Sequence, residues 1–215
     1  MLNKRLQAVS ELIEPCDVLM DVGSDHGFLP LYLLINKKID KAIIGDINNG
    51  PLEQAKTNFS KYDLNTIFVK SNGINGYKAK IDAVVIAGMG YETIQSILIQ
   101  DISRFKEIPQ IILQTNTKID ELRRFLNTNK FTIVDELIVK DRKYFYPIIK
   151  VVYDENTTLL TEQELLYGPI LMKHKNPVFI EYLNFKKTVE ENIIRAQKKE
   201  SSKRIQLINE IIETK

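Results

Sequence analysis

One cysteine, two histidines and no long apolar run: the 215-residue chain is short of the groups on which several kinds of chemistry depend. A lone Cys16 has no internal disulfide partner and suits a reducing compartment. Standing at the edge of an apolar strand, it reads as a small buried hydrophobe. His26 and His174 stand in no His/Cys/Asp cluster with ligand spacing, so no metal centre is expected. No Ser/His/Asp or Cys/His set is evident. No apolar stretch approaches the roughly 18 residues of a membrane span, and the opening Met-Leu-Asn-Lys-Arg-Leu turns polar too early for a secretory leader. These absences lead us to expect a cytoplasmic protein with no membrane or metal dependence and no obligate protein partner. Charge of one sign is scarce too: the net charge is only +2. Its distribution is uneven. Residues 173–215 carry ten Lys/Arg against six Asp/Glu, whereas the rest carries 20 against 22. A near-neutral body with a basic tail fits a polyanionic partner; a solvated helix face accounts for the same surplus.

Glycine is sparse, with nine in all, and two fall in Asp21-Val-Gly-Ser-Asp-His-Gly27. An aliphatic strand ends at Val22, and an apolar helical pattern starts at Phe28. This is a strand, a glycine turn and a helix start, the place where an α/β protein receives a nucleotide-like ligand. The third glycine of the dinucleotide fingerprint is missing. In its place stand Ser24, Asp25 and His26, and the two acids Asp21 and Asp25 would repel a pyrophosphate. They suit a cofactor with cationic groups, such as S-adenosylmethionine (SAM). A second strand ends at Asp46, 19 residues after Gly27. An acid at about that distance binds a ribose diol. An ordinary turn and an ordinary strand-end acid would look the same singly; the pair is the stronger sign.

Strands are expected at 17–22, 41–47, 66–70, 82–87 and 109–114. Helices are expected at 2–14, 28–37, 50–61, 91–100 and 119–129. The strands are short and apolar on both faces, as in a buried parallel sheet, and the alternation argues helices on both sides. Phe131–Lys140 and Tyr144–Tyr153 read as a closing antiparallel hairpin. That makes a mostly parallel seven-stranded, Rossmann-like sheet of the SAM-dependent methyltransferase plan, over 1–160. From Thr161 to 215 the pattern is helical. Tyr182, Phe185, Val189, Ile193 and Ala196 form one apolar stripe, and Ile205, Ile208 and Ile212 form another after a charged break at 198–204. Two helices folded into a hairpin would bury both stripes; one continuous helix is the alternative.

Arg5-Leu6, Asp21-Val-Gly-Ser-Asp-His-Gly-Phe-Leu-Pro30, Asn49-Gly-Pro51, Ile86-Ala-Gly-Met-Gly90 and Leu113-Gln-Thr-Asn116 together resemble the bacterial tRNA adenine-N1 methyltransferases that act at adenosine 22. The order and spacing run from about residue 4 to 153, and Tyr167-Gly-Pro169 matches in kind. The resemblance implies a class I methyltransferase domain, SAM, a tRNA substrate and a C-terminal α-helical hairpin that helps grip the tRNA. The chain departs from that pattern at Asn72, where an aspartate is usual, at Tyr91 in place of glycine, and at Thr115 in place of proline.

With the turn chemistry, this gives a cofactor set of Asp21, Gly23, Ser24, Asp25, His26, Gly27, Asp46, Ile47, Asn48, Asn72, Gly73, Ala87 and Gly88. Gly88, Met89 and Asn116 are expected at the reacting base. Asn116 can read an adenine N6/N7 edge or simply cap the next helix. Arg5, Gly90, Tyr91, Lys143 and Tyr146 are expected to meet the substrate, and Lys4, Arg123, Arg124 and Arg142 are further candidates for phosphate contacts. Adenine N1 has its own lone pair, so positioning and exclusion of water suffice and no strong base is needed. Competing readings are a methyltransferase of a protein or small molecule, an RNA-binding module without catalysis, and an NAD-dependent oxidoreductase, which the missing glycine and acidic turn oppose.

Overall fold

The computed structural model describes residues 2–197 and 202–213. Strands β1 (Cys16–Val22), β2 (Ile39–Asp46), β3 (Thr66–Lys70), β4 (Ala83–Met89) and β5 (Gln110–Thr115) run parallel. β6 (Phe131–Asp141) and β7 (Tyr144–Tyr153) form the antiparallel hairpin, with β7 inserted beside β5. The order is β3-β2-β1-β4-β5-β7-β6. The strands lie where the apolar runs placed them, with ends shifted by a residue or two. β2 starts two residues early, at Ile39, and β4 continues two residues further, through Gly88 to Met89. Gly88, at φ +82°, sits in a bulge where the pairing register with β5 slips.

Successive side chains of a buried strand point to opposite layers. Met20 and Val22 of β1, Val84 and Ile86 of β4, and Ile111 and Leu113 of β5 enter one core. Helices α4 (Tyr91–Gln100), α5 (Ile102–Phe105, not anticipated) and α6 (Ile119–Thr128) cover it. Leu19, Val85 and Ile112 enter the other, under α1 (Lys4–Leu12), α2 (Phe28–Ile35) and α3 (Asn49–Phe59). The alternation also carries Asp21 and Gln114 to the α1 side at the carboxyl edge.

Four more helices follow: α7 (Glu162–Tyr167), α8 (Pro169–His174), α9 (Pro177–Gln197) and α10 (Lys203–Glu213). Thr161 and Glu164 form a capping box that starts α7, which stabilises the helix by satisfying its first N–H groups. α10 folds back on α9, with Lys187 donating to Asn209 and Ser202 to Glu190, so the hairpin reading is the observed one. Most of the charged break, 198–201, lies outside the described residues. Tyr182 and Leu183 are buried with Ile208 and Ile211. Phe185, Val189 and Ile193 remain 38–48% exposed, contrary to the expectation that both stripes would be covered. α10 runs beside the Lys187–Glu190 stretch, and its apolar side chains cover the face of α9 that carries Tyr182 and Leu183.

The expected boundary at 160 is crossed by a buried clasp. Arg123 and Glu136 are paired at 2.9 Å and almost fully enclosed. Arg123 also donates to the Leu165 and Leu166 carbonyls, and Glu136 accepts from the Ile170 and Leu171 N–H groups. Arg123 is thus withdrawn from any phosphate contact. Removing one member of such a pair leaves the other charge buried and unpaired, so Arg123→Ala should cost about 3–5 kcal/mol. A thermal midpoint equal to wild type would show that water replaces the guanidinium at no cost.

Candidate active site

A cleft of about 590 Å³ opens at the carboxyl edge of β1, β2 and β4, beside α1. Its volume is that of a site for a small organic ligand. Asp21, Gly23, Ser24, Asp25, His26, Asp46, Ile47, Asn48, Asn72, Gly73, Ala87, Gly88, Met89 and Arg5 all line it. Residues far apart in sequence meet here because four parallel strands end at one edge.

Gly23 is held by its N–H to the Gly45 carbonyl at 2.8 Å. Its φ is +71°, and a Cβ added there would lie 2.0 Å from the Met89 methyl group. Only glycine takes this conformation without strain. Gly27 has another duty from the one expected. It does not line the cleft; a Cβ on it would meet Phe59 at 2.9 Å and Ala55 at 3.2 Å. It lets α2 approach α3, a packing duty that the turn pattern did not announce.

Asp21 is 6% exposed. Burial pushes its carboxyl up to about 6, against the opposing pull of the Ser24 hydroxyl and the Arg5 charge. The Ser24 hydroxyl donates to Asp21 Oδ2. Asp46 accepts the Asn48 N–H at 2.8 Å through Oδ1, which fixes the carboxylate at the end of β2 and leaves acceptor capacity for a ligand. His26 lies 3.6 Å from Asp25 and 5.5 Å, ring to ring, from Phe28. That arrangement makes it part of the cleft rim, with no nucleophile beside it. Ser71 accepts the Gly76 N–H and bonds the Gly73 oxygen, shaping the Asn72-Gly73 turn.

The other expected residues stand next to this cleft and not in it. Asn116 donates from Nδ2 to the Gly88 carbonyl at 2.8 Å, and its backbone N–H reaches the Met89 carbonyl at 2.8 Å. It therefore pins the β4 bulge. The helix-cap reading is overturned, because Lys118 is the residue that precedes α6. Gly90 precedes α4 and Tyr91 begins it. The Tyr91 N–H is held by the Thr117 hydroxyl at 3.1 Å, while burial and the neighbouring Glu121 and Glu92 push its phenol up. It stays neutral at physiological pH. Tyr146 lies 6.0 Å from the Arg5 guanidinium and 6.4 Å from Tyr144, and Lys143 lies over the Tyr144 ring. Arg5, Tyr146, Tyr144 and Lys143 form a row leading from the cleft to the hairpin tip.

Phe28, Thr93 and Ile97 line the cleft without having been anticipated. So does Asn3, which caps α1 through a bond from the Leu6 N–H. Gln114 is the more instructive omission. It is fully buried and joins Arg5, Gly88 and Asn116. Its signals were a polar residue inside a largely apolar strand and its place in the Leu113-Gln-Thr-Asn116 segment. No group of three or more His, Cys, Asp or Glu among the described residues is arranged to hold a metal ion. None of the described helices is long and apolar enough to cross a membrane.

A mostly parallel seven-stranded sheet, its last strand turned antiparallel, with an acid-lined cleft at its carboxyl edge, defines a Rossmann-like SAM-dependent methyltransferase. The model of the tRNA (adenine(22)-N(1))-methyltransferase family matches residues 19–215. The chain belongs to that family. It is 32% identical to the tRNA (adenine(22)-N(1))-methyltransferase of Bacillus subtilis, covering 99% of this chain and 97% of that one. A Streptococcus pneumoniae protein solved in complex with S-adenosyl-L-methionine superposes with TM-score 0.84 at 29% identity, over 99% of this chain and 100% of that one. M. capricolum TrmK in complex with S-adenosyl-homocysteine gives TM-score 0.80 at 29% identity, over 99% of this chain and 95% of that one.

Proposed function

We propose that the protein methylates N1 of adenosine 22 in tRNA with SAM, and that the cleft between Asp21, Asp46 and Gly88 is where the cofactor lies. The observation that carries the assignment is the joint placement of two acids and a glycine turn in one cleft of suitable size. When bound, SAM supplies a methyl group activated by a sulfonium. Asp46 would accept from the ribose diol, Ile47 and Asn72 would hold the adenine, and Asp21 with the Gly23 turn would hold the cationic amino acid end. Gly88 and Met89 border the reacting side, where the bulge lets a flat base approach, and Asn116 meets the base. The chain's residues orient N1 and exclude water. The base must leave its stack to be reached, and Tyr91 and Tyr146 are the aromatic groups positioned to receive it. The basic surplus of residues 173–215 meets phosphates, and a tRNA substrate, together with a lone Cys16 that has no internal disulfide partner, supports a cytoplasmic setting. Transfer of label from SAM to unmodified tRNA, followed by mapping of the modified nucleoside, tests the activity; label on any other nucleoside overturns it.

Asp46→Ala should weaken SAM binding at least tenfold, since charge-assisted hydrogen bonds contribute roughly 1.5–3 kcal/mol each. Calorimetric titration of the folded variant with unchanged affinity would remove Asp46 from the ribose.

Asp21 gives a pH dependence. Its folded value of about 6 lies above that of an exposed aspartate, about 3.9. The unfolded chain therefore loses this proton first, and stability falls as pH rises between the two values. Binding of a cation runs the other way: it needs the carboxylate, so SAM affinity should be full above pH 6 and fall about tenfold per unit below it. Asp21→Asn should flatten that limb. A wild-type affinity constant from pH 5 to 7 would show that Asp21 does not face the cofactor's charge.

A further inference from the structure

We infer that Gln114 is a positioning residue that locks the Asn116 amide in the polarity that reads the N6/N7 edge of adenine. This rests on the proposed contact between Asn116 and the base. The polarity follows from the ends of a hydrogen-bond chain. Arg5 Nη1 and the Gly88 N–H are obligatory donors, and both point at Gln114 Oε1, at 2.7 and 3.0 Å. Gln114 Nε2 is therefore the end that faces Asn116, and it donates to Asn116 Oδ1 at 3.1 Å. Asn116 Nδ2 in turn donates to the Gly88 carbonyl at 2.8 Å, an obligatory acceptor. Neither amide can flip without placing donor against donor or acceptor against acceptor.

Gln114 has no exposed surface, so water cannot replace a partner lost at its own amide. Asn116 is exposed. After its internal bonds it keeps one N–H and one carbonyl lone pair for a ligand. That pair matches N7, an acceptor, and the N6 amino group, a donor, on the edge of adenine away from N1. Reading this edge leaves N1 uncovered for methylation. Guanine presents two acceptors there, O6 and N7, and a locked amide cannot turn to accommodate them.

Gln114→Glu tests the lock. It keeps the acceptor for Arg5 and Gly88 at unchanged length but has no donor for Asn116. We expect kcat on unmodified tRNA to fall about tenfold or more, with SAM affinity and the thermal midpoint near wild type. Asn116→Ala should show a similar loss, and the double variant should be little worse than Asn116→Ala alone, because one residue acts through the other. Wild-type kcat in Gln114→Glu beside an impaired Asn116→Ala overturns the lock and leaves the base contact standing. Losses that multiply in the double variant also overturn it. Wild-type kcat in Asn116→Ala overturns the base contact, and the lock with it. Should the charge at 114 prevent folding, Gln114→Met, uncharged and similar in shape, replaces it in the same cycle with the same deciding outcomes.

Discussion

Gly23→Val should abolish SAM binding and methylation while leaving the sheet folded. Gly23 sits at φ +71°, where a β-branched residue is strained, and a Cβ there would meet the Met89 methyl at 2.0 Å. The strain itself costs only about 1–2 kcal/mol, too little to unfold an otherwise intact domain. The methionine end can swing aside, but the valine methyl groups would then occupy the space where the turn meets the cofactor. Circular dichroism should remain native-like, and no saturation by SAM should be measurable. A folded Gly23→Val protein that binds SAM as wild type does would reduce the turn to a structural feature.

Reversing the charge of the tail should separate tRNA binding from cofactor binding. Lys186, Arg195 and Arg204 are exposed on α9 and α10. By contrast, Lys203 is paired with Glu162 and Lys187 is bonded to Asn209. Changing all three exposed residues to glutamate should weaken tRNA binding strongly and reduce the salt slope by roughly two to three, about 0.7–0.9 per lost phosphate contact. SAM affinity should stay within about twofold, because the cleft lies at the other side of the clasp and exposed charges are screened over about 10 Å. Unchanged tRNA affinity and salt slope would make the basic surplus a solvated face. Substitution is a cleaner test than removing residues 161–215. Deletion would strip Arg123 and Glu136 of their α7 and α8 partners and uncover Ile138, which packs against Phe179 and Leu183.

How far the site was legible depends on whether its signal was local. Asp21, Gly23 and Asp46 were readable because a glycine turn after an apolar strand, with an acid at the next strand's end, is a pattern within 26 residues of chain. Gly27 fell inside the same pattern, but its packing role did not show there. Its need to be glycine comes from Phe59 on another helix, and nothing in the turn records that. Arg123 looked like one more surface cation on a helix. Its fate was decided by Glu136 and by carbonyls more than 40 residues away. Asn116 was correctly placed at a strand end, but its cap role was not realised because its amide is taken by Gly88.

What the chain by itself determined is therefore the order of strands and helices, their buried faces and the local turn that lines the cleft. Period-two apolar strands, helical apolar stripes and glycine positions are properties of neighbouring residues, and their physics is complete over a few turns of chain. What only the tertiary structure decided is which polar groups face each other. Arg5 and Gln114 are 109 residues apart, and they meet because strand alternation turns Gln114 toward the layer where α1 packs. The partial cover of α9 by α10 and the clasp across the expected boundary arise in the same way. A buried polar group must find a partner wherever the packing of apolar faces happens to bring one, and no local pattern specifies which.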